Sequence, residues 1–378
     1  MNPSRYFKPT DLHGLAQLAG DGVAGTSRLI ERLHVTIARA SMPAGRAVTA
    51  PARGMTGLVY RSVRGVNALV GASIQAVAKP VVARIPGQGS SAAREQWRAA
   101  LNGVLGDHLA GSGNPLTIPM RFRKHGAALT LERSALAGTF DAPRGRLLVA
   151  VHGLCMNDLQ WGARGIPHRL GAALGFTPLY LHYNSGLPIA DNGRALAGLL
   201  QELVDAWPVP VEEIVMVGHS MGGLVARSAQ AHAARGRHGW EKSLTGMVFL
   251  GTPHHGSPLE RVGHGFNRLL GISPYSAPFC SLGGLRSAGI RDLRHGLAET
   301  SRPASPTTWY AIAATAGTRA GRLAGDGLVP VDSALGRHPD PRRALGIPQE
   351  NCRLVPAAGH LGLLRHPEVY RSLRRWLR

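Results

Sequence analysis

Cysteine is nearly absent from this chain of 378 residues, which contains only Cys155, Cys280 and Cys352. An odd, sparse count without C-x-x-C spacing argues against a disulfide framework and a cysteine-based metal site, and it is typical of a reducing compartment. The chain also lacks any run of about 18 uncharged apolar residues, and its first residues contain no apolar core of a signal peptide. We therefore expect a cytoplasmic protein without a membrane-spanning segment.

Lysine and acidic residues are scarce as well. All but four of the 43 basic residues are arginine, and with 22 acidic residues the formal net charge is +21. The arginines are scattered, with no dense run and no interleaved aromatic side chains. We interpret the charge as a solubility feature that also suits an anionic surface, and we expect no specific nucleic-acid partner. Hydrophobic residues make up 44% of the chain, enough for a sizeable core.

The central motif is G-x-S-x-G at residues 218–222. It follows the apolar run 214–217, which predicts a buried strand, and it precedes residues 224–229, which predict the start of a helix. A turn this tight brings the residues two before and two after the serine together, so Gly218 and Gly222 avoid Cβ clashes. Ser220 is then held in a strained conformation with its hydroxyl exposed above the sheet, as a nucleophile requires.

Residues 1–115 have the periodicity of helices. Apolar residues at helical spacing predict helices over about 11–40, 55–80 and 91–109. The simpler interpretation is a helical extension that packs on the rest of the protein. The alternative is a module that lies peripherally on a membrane or lipid surface, with Arg28, Arg32, Arg61 and Arg64 near its polar faces.

Residues 116–378 alternate between strands and helices. We predict a hairpin-like edge over 129–140, and then strands at 146–151, 177–183, 214–217, 245–250, 308–314 and 352–355. Helices are predicted at 192–207, from the motif to about 235, and from 366 to about 377. This alternation predicts an α/β domain with a mostly parallel, doubly wound sheet. Residues 256–300 interrupt it with many glycines, prolines and apolar side chains, and we interpret them as a cap or lid.

The partners of the serine are expected further along the chain. Asp326 lies between two glycines in a loop after a predicted strand, and His360 follows the last strand. Catalytic groups collect at the carboxyl ends of strands in open α/β sheets, and Ser220 lies at such an end too. We therefore predict a triad of Ser220, Asp326 and His360.

Other residues are alternatives for the acid or could suggest a metal site. Asp332 is the alternative acid, and Asp292 is a weaker one because it falls in the predicted cap. His254 and His255 are adjacent, but they lack the i, i+4 spacing and the nearby carboxylate of a zinc site. We expect no metal ion and no cofactor.

The oxyanion donors are expected on either side of the serine. The backbone N–H of Met221 follows the nucleophile directly, and the second donor comes from the loop 152–157 after the preceding strand. Leu154 is the predicted donor in that loop, and His152 is expected to support it. Nothing in the sequence around Cys155 indicates an activated thiolate.

Four segments together carry a family resemblance: residues 151–154, 218–223, 251–257 and 325–330. In order and spacing they resemble the α/β-hydrolase serine esterases and lipases, and they are most similar to bacterial triacylglycerol lipases and GPI inositol-deacylase-like esterases. The resemblance covers roughly residues 118–378 and implies an α/β-hydrolase fold with serine esterase chemistry. It does not reach the N-terminal helices, and the calcium site of secreted lipases has no identifiable ligands here.

The sequence thus predicts a hydrolase of carboxylic esters or lipids, with apolar acyl chains, acting through an acyl-enzyme. A thioesterase or acyltransferase would use the same triad. An inactive hydrolase-fold scaffold, anchored by the N-terminal helices, is the alternative from a different functional class.

Overall fold

The structure, a computed structural model, describes residues 8, 10–11, 13–22, 91–257, 287–297, 306–317 and 325–378. Within these ranges, no helix combines the length and the apolar character that crossing a bilayer requires.

An eight-stranded sheet forms the centre of the described chain. Its strands are β1 (Arg121–Lys124), β2 (Ala127–Ala128), β3 (Arg146–Val151), β4 (Thr177–His182), β5 (Glu213–His219), β6 (Leu244–Leu250), β7 (Thr308–Ala314) and β8 (Cys352–Val355). Their order is β2-β1-β4-β3-β5-β6-β7-β8; the pairs β2–β1 and β1–β4 are antiparallel, and the other five pairs are parallel. The middle strands are continuous apolar runs because both of their faces are buried, as a parallel sheet requires.

Helices flank this sheet. They are α1 (Ala92–Gly111), α2 (Arg133–Thr139), α3 (Ile166–Leu174), α4 (Ile189–Ala206), α5 (Met221–Gly236), α6 (Ala288–His295), α7 (Val331–Ala334) and α8 (Pro367–Trp376). Short 3₁₀ turns cover Asp158–Trp161, Gly239–Ser243, Gln349–Asn351 and His360–Leu364.

The alternation of side chains along β3 shows that both faces of the sheet are covered. Leu147, Val149 and Val151 belong to a core that includes buried residues of α4 and α5. Leu148 and Ala150 point the other way, into a core with residues of α3 and α8. Successive side chains of a strand point to opposite faces, so the helices lie on both sides. The prediction of a mostly parallel, doubly wound sheet is confirmed.

The predicted edge over 129–140 is wrong. The edge hairpin is formed by β1 and β2, and Arg133–Thr139 is the short helix α2, with Leu136 fully buried. One buried side chain suits a short helix packed by one face, and of the seven residues only Thr139 is β-branched, the type of side chain that favours strands.

The N-terminal helical region is present. Residues 10–11 and 13–22 are helical, and the third predicted helix corresponds to α1, which departs from helical geometry at Leu105 (φ −123°, ψ 15°). The second predicted helix, and the arginines of the surface interpretation, lie outside the described residues. So does most of the predicted cap, whose described part contains α6.

The described residues fall into two compact units. The first draws on Met1–Arg94 and Leu109–Thr117, and it contains a buried ion pair in which Arg94 Nη2 lies 2.5 Å from Asp11 Oδ1. The second draws on Glu95–His108 and Ile118–Arg378, and it contains the whole sheet. The predicted domain boundary between residues 115 and 116 stays a prediction.

Gly193 marks a close approach of α4 to α5. A Cβ at Gly193 would lie 2.9 Å from the carbonyl carbon of Ser228, whereas a Cβ at Gly198, one and a half turns along α4, would meet nothing within 4 Å. We expect Gly193→Ala to lower the free energy of unfolding by about 1–3 kcal/mol through overpacking. Gly198→Ala should raise it by up to about 1 kcal/mol, since alanine is the better helix former.

Urea unfolding of the two variants beside the unchanged protein measures both effects. Equal shifts in the same direction would contradict the assignment of the helix contact to Gly193.

Candidate active site

Ser220 occupies a strained turn at the centre of the sheet. Strand β5 ends at His219 and α5 begins at Met221, and between them Ser220 has φ 54° and ψ −126°. A positive φ is costly for a residue with a side chain, so surrounding contacts must hold it. The Ser220 N–H donates to the Leu250 carbonyl at 2.8 Å, and the Ser220 carbonyl accepts from the Gly223 N–H at 3.1 Å.

The two motif glycines lie where no side chain fits. A Cβ at Gly218 would lie 2.5 Å from the Gly223 nitrogen, and a Cβ at Gly222 would lie 2.5 Å from the His152 carbonyl oxygen. Both neighbours are backbone atoms, which cannot rotate away as a side chain can. The first contact lets the chain turn back on itself, and the second brings α5 against the loop after β3.

Asp326 and His360 contact each other directly. His360 Nδ1 lies 2.7 Å from Asp326 Oδ2, and both side chains are buried. The other carboxylate oxygen, Oδ1, accepts the N–H groups of Leu328 at 3.0 Å and Val329 at 2.9 Å. With Nδ1 donating to the carboxylate, His360 Nε2 is the nitrogen left to accept a proton.

The ionisation of Asp326 follows from these contacts. Burial by itself raises the pKa of this carboxyl, but attraction to His360 and the hydrogen bonds from His360, Val329 and Leu328 together lower the pKa below the ordinary value of 3.8. The group is therefore a carboxylate at neutral pH, and it orients the imidazole.

The strained turn at Ser220, here called the elbow, and the pair of Asp326 and His360 approach each other through two neighbouring residues. A Cβ at Gly251, which follows the acceptor of the Ser220 N–H, would lie 3.2 Å from both Asp326 Oδ2 and His360 Cε1. His219 Nε2 donates to the His360 carbonyl at 3.1 Å. Burial lowers the pKa of His219 to about 3, so its ring is a neutral support. Among the described residues, no hydrogen bond joins the Ser220 hydroxyl to the His360 ring.

The predicted oxyanion loop lies against the elbow. A Cβ at Gly153 would lie 3.0 Å from the Ser220 Cβ. Neither the Leu154 N–H nor the Met221 N–H has an acceptor in the part of the chain that the structure describes. Two backbone donors beside one serine are thus left unpaired, which is the requirement for an oxyanion hole.

His152 supports this loop, as expected. Its Nδ1 donates to the Gly153 carbonyl at 2.9 Å, and its Nε2 accepts the Tyr183 N–H at 3.4 Å. The Tyr183 hydroxyl in turn donates to the His152 carbonyl at 2.8 Å. Burial lowers the pKa of His152 to about 4, so the ring is neutral.

The competing acids have other partners. Asp332 is 58% exposed and its Oδ1 lies 3.9 Å from Arg337 Nη1. Asp292 Oδ2 accepts the Ile189 N–H at 2.8 Å and so satisfies a donor at the start of α4.

The adjacent residues His254 and His255 also contact different partners. His254 Nδ1 accepts from Arg227 Nη1 at 3.2 Å, and the His255 ring packs edge-on against His338 with centroids 5.0 Å apart. Across the described ranges, no three His, Cys, Asp or Glu side chains gather closely enough to hold a metal ion.

Sequence reasoning missed the residues that link the elbow to the acid–base pair. His219 lies inside the motif, and Gly251 directly follows the next strand, so their positions beside the serine were open to inference from strand order alone. Their contacts with His360 were not, because those depend on how the last loop folds back.

Comparisons with known proteins found one matching family model and several similar solved structures. A family model described as the PGAP1-like alpha/beta domain matches residues 196–272. Similar solved structures include the mature Bacillus licheniformis lipase BlEst2 (18% identity, 63% of this chain and 94% of that chain, TM-score 0.43). Others are a thermophilic esterase from Thermogutta terrifontis (18%, 69% and 92%, TM-score 0.39) and a Paleococcus ferrophilus monoacylglycerol lipase (15%, 62% and 95%, TM-score 0.38). No curated protein matches the sequence significantly.

The lowered pKa of Asp326 makes its contribution to stability depend on pH. Because the folded pKa is below 3.8, the stabilisation is fully present above that pH and is lost as the pH falls through the lower folded value. We expect Asp326→Asn to lower the free energy of unfolding by about 1–3 kcal/mol at neutral pH, and the difference should shrink in acid.

Urea unfolding over a pH series measures this difference, with the exposed Asp332 as the matched control. Asp332→Asn should change the free energy of unfolding by less than about 1 kcal/mol at every pH, as surface pairs do. A deficit of Asp326→Asn that is constant from neutral to acid pH would contradict the assignment.

Proposed function

We propose that this protein hydrolyses carboxylic esters through a serine nucleophile and an acyl-enzyme. The observation that carries the proposal is the buried contact between His360 Nδ1 and Asp326 Oδ2 at 2.7 Å, on the side of the sheet where the parallel strands end and Ser220 occupies its strained turn. An oriented imidazole beside an activated serine is the arrangement that acyl transfer requires.

In the first step Ser220 Oγ bonds to the ester carbonyl carbon, and its proton passes to His360 Nε2. The carbonyl oxygen becomes an anion and accepts the N–H groups of Leu154 and Met221. When the intermediate collapses, the bond to the alcohol oxygen breaks and His360 returns the proton to that oxygen. Asp326 stays ionised throughout and stabilises the imidazolium.

In the second step a water molecule takes the place of the alcohol. His360 accepts its proton as the water oxygen bonds to the acyl carbon, and it then returns the proton to Ser220 as the acid leaves. The unpaired N–H groups of Leu154 and Met221 support this cycle because no acceptor within the described residues competes for them.

Ser220→Ala is expected to remove hydrolysis of p-nitrophenyl esters, with kcat falling by at least about 10³-fold, because no other group forms the acyl-enzyme. Initial rates and thermal unfolding of the variant measure activity and folding together. A folded Ser220→Ala protein with undiminished turnover would refute the proposal.

Covalent labelling separates an enzyme from an inactive scaffold. A fluorophosphonate should label the unchanged protein once, at Ser220, and should leave Ser220→Ala unlabelled. Absence of labelling in the unchanged protein would instead support the scaffold alternative.

The choice between the two candidate acids is tested by a matched pair of variants. Asp326→Asn should lower kcat by about 10²–10⁴-fold with little change in KM, since the amide no longer holds His360 in the required tautomer. Asp332→Asn should keep kcat within about twofold, because its carboxylate is exposed and lies beside Arg337. The reverse pattern would assign the acid to Asp332.

A further inference from the structure

Cys155 holds an unfavourable backbone conformation in the loop that follows β3. Its φ of 58° lies in the left-handed region, which is unfavourable for a residue with a side chain. The residue directly follows Leu154, and the loop lies against Ser220 through Gly153. Contacts outside the loop must therefore maintain this conformation.

The first contact comes from the loop after β4. The Cys155 N–H donates to Ser185 Oγ at 3.1 Å, and Ser185 is 1% exposed. Without this acceptor the buried N–H would be left unpaired, which destabilises the folded loop. Ser185 thus fixes the peptide bond on the carboxyl side of Leu154.

The second contact comes from the central part of α1. The Cys155 thiol donates to the Ala100 carbonyl at 3.7 Å. A Cβ at Gly103 would lie 2.9 Å from both the Cα and the backbone nitrogen of Cys155. The backbone of the helix therefore touches the backbone of the loop, and only a glycine permits that distance.

Two neighbouring elements hold this part of α1 in place. The Gly103 carbonyl accepts the Ser287 hydroxyl at 2.6 Å, and Asp107 Oδ2 accepts the Ala288 N–H at 2.9 Å at the start of α6. The Gly106 carbonyl accepts Asn184 Nδ2 at 2.9 Å, in the residue before Ser185. The helix, the two loops and α6 form one hydrogen-bonded support.

We propose that Ser185 and Gly103 are positioning residues for the oxyanion hole, acting through Cys155 to hold the Leu154 N–H towards Ser220. This inference rests on the proposed ester hydrolysis. Burial raises the pKa of the Cys155 thiol to about 12, which agrees with a neutral hydrogen-bond donor and not a nucleophile.

A positioning role acts on the transition state, so it is separable from a role in folding or in substrate binding. Ser185→Ala removes only one oxygen atom, and we expect it to lower kcat for a p-nitrophenyl ester by about 10- to 100-fold with KM within about twofold. Gly103→Ala should lower kcat at least as much, because its methyl group must displace Cys155. Gly198→Ala, which adds a methyl group where nothing lies within 4 Å, is the matched control and should leave kcat unchanged.

A boronic acid supplies the decisive readout, since its tetrahedral adduct with Ser220 presents an oxygen to the same donors. Its inhibition constant should rise in Ser185→Ala by the factor by which kcat falls, at a temperature where the variant is folded. Ser185→Ala decides the question by itself if Gly103→Ala fails to fold.

Three results would overturn the inference. One is a folded Ser185→Ala protein with wild-type kcat and boronate affinity. Another is a kcat loss without weaker boronate binding, which would indicate a merely structural role. The third is an unchanged protein that neither hydrolyses esters nor reacts with a fluorophosphonate, which would overturn the proposed function as well.

Discussion

The site depends on backbones that approach each other more closely than side chains allow. At the elbow, Gly218 and Gly222 let the chain reverse against itself and against the loop after β3, and Ser220 is held at a positive φ as a result. The same kind of contact recurs at Gly103, where α1 meets that loop from its other side. The loop is thus confined between two helices by rigid main-chain contacts, and small movements of either helix reach the candidate oxyanion donors.

Burial and local contacts give the histidines around the site different properties. His152 and His219 are kept neutral by desolvation, and each donates from one ring nitrogen to a neighbouring backbone carbonyl. His360 differs because its ring contacts a carboxylate that is itself held by two backbone N–H groups. The two neutral imidazoles thus add shape around His360 without adding charge.

Much of the fold was predictable because its signals are local. The apolar runs of β3, β5 and β6 and the glycines around Ser220 specify a buried parallel sheet and a sharp turn within a few residues. Asp326 and His360 were proposed from their positions after strands, and their roles stay predictions that the 2.7 Å contact supports. The edge at 129–140 was wrong, since a few apolar residues among small ones do not distinguish a strand from a short helix. Ser185 and α1 carry no motif, and their contacts with Cys155 span 30 and 55 residues of chain.

The central part of α1 also constrains how the chain acquires its site. Its partners are made much later than the helix itself: Asn184 follows Gly106 by 78 residues, and Ser287 follows Gly103 by 184. Closing such long loops is entropically costly, so contacts of this span form after the local ones. During synthesis α1 is therefore made before the sheet, and its hydrogen bond from Ser287 forms only after the chain has passed residue 287.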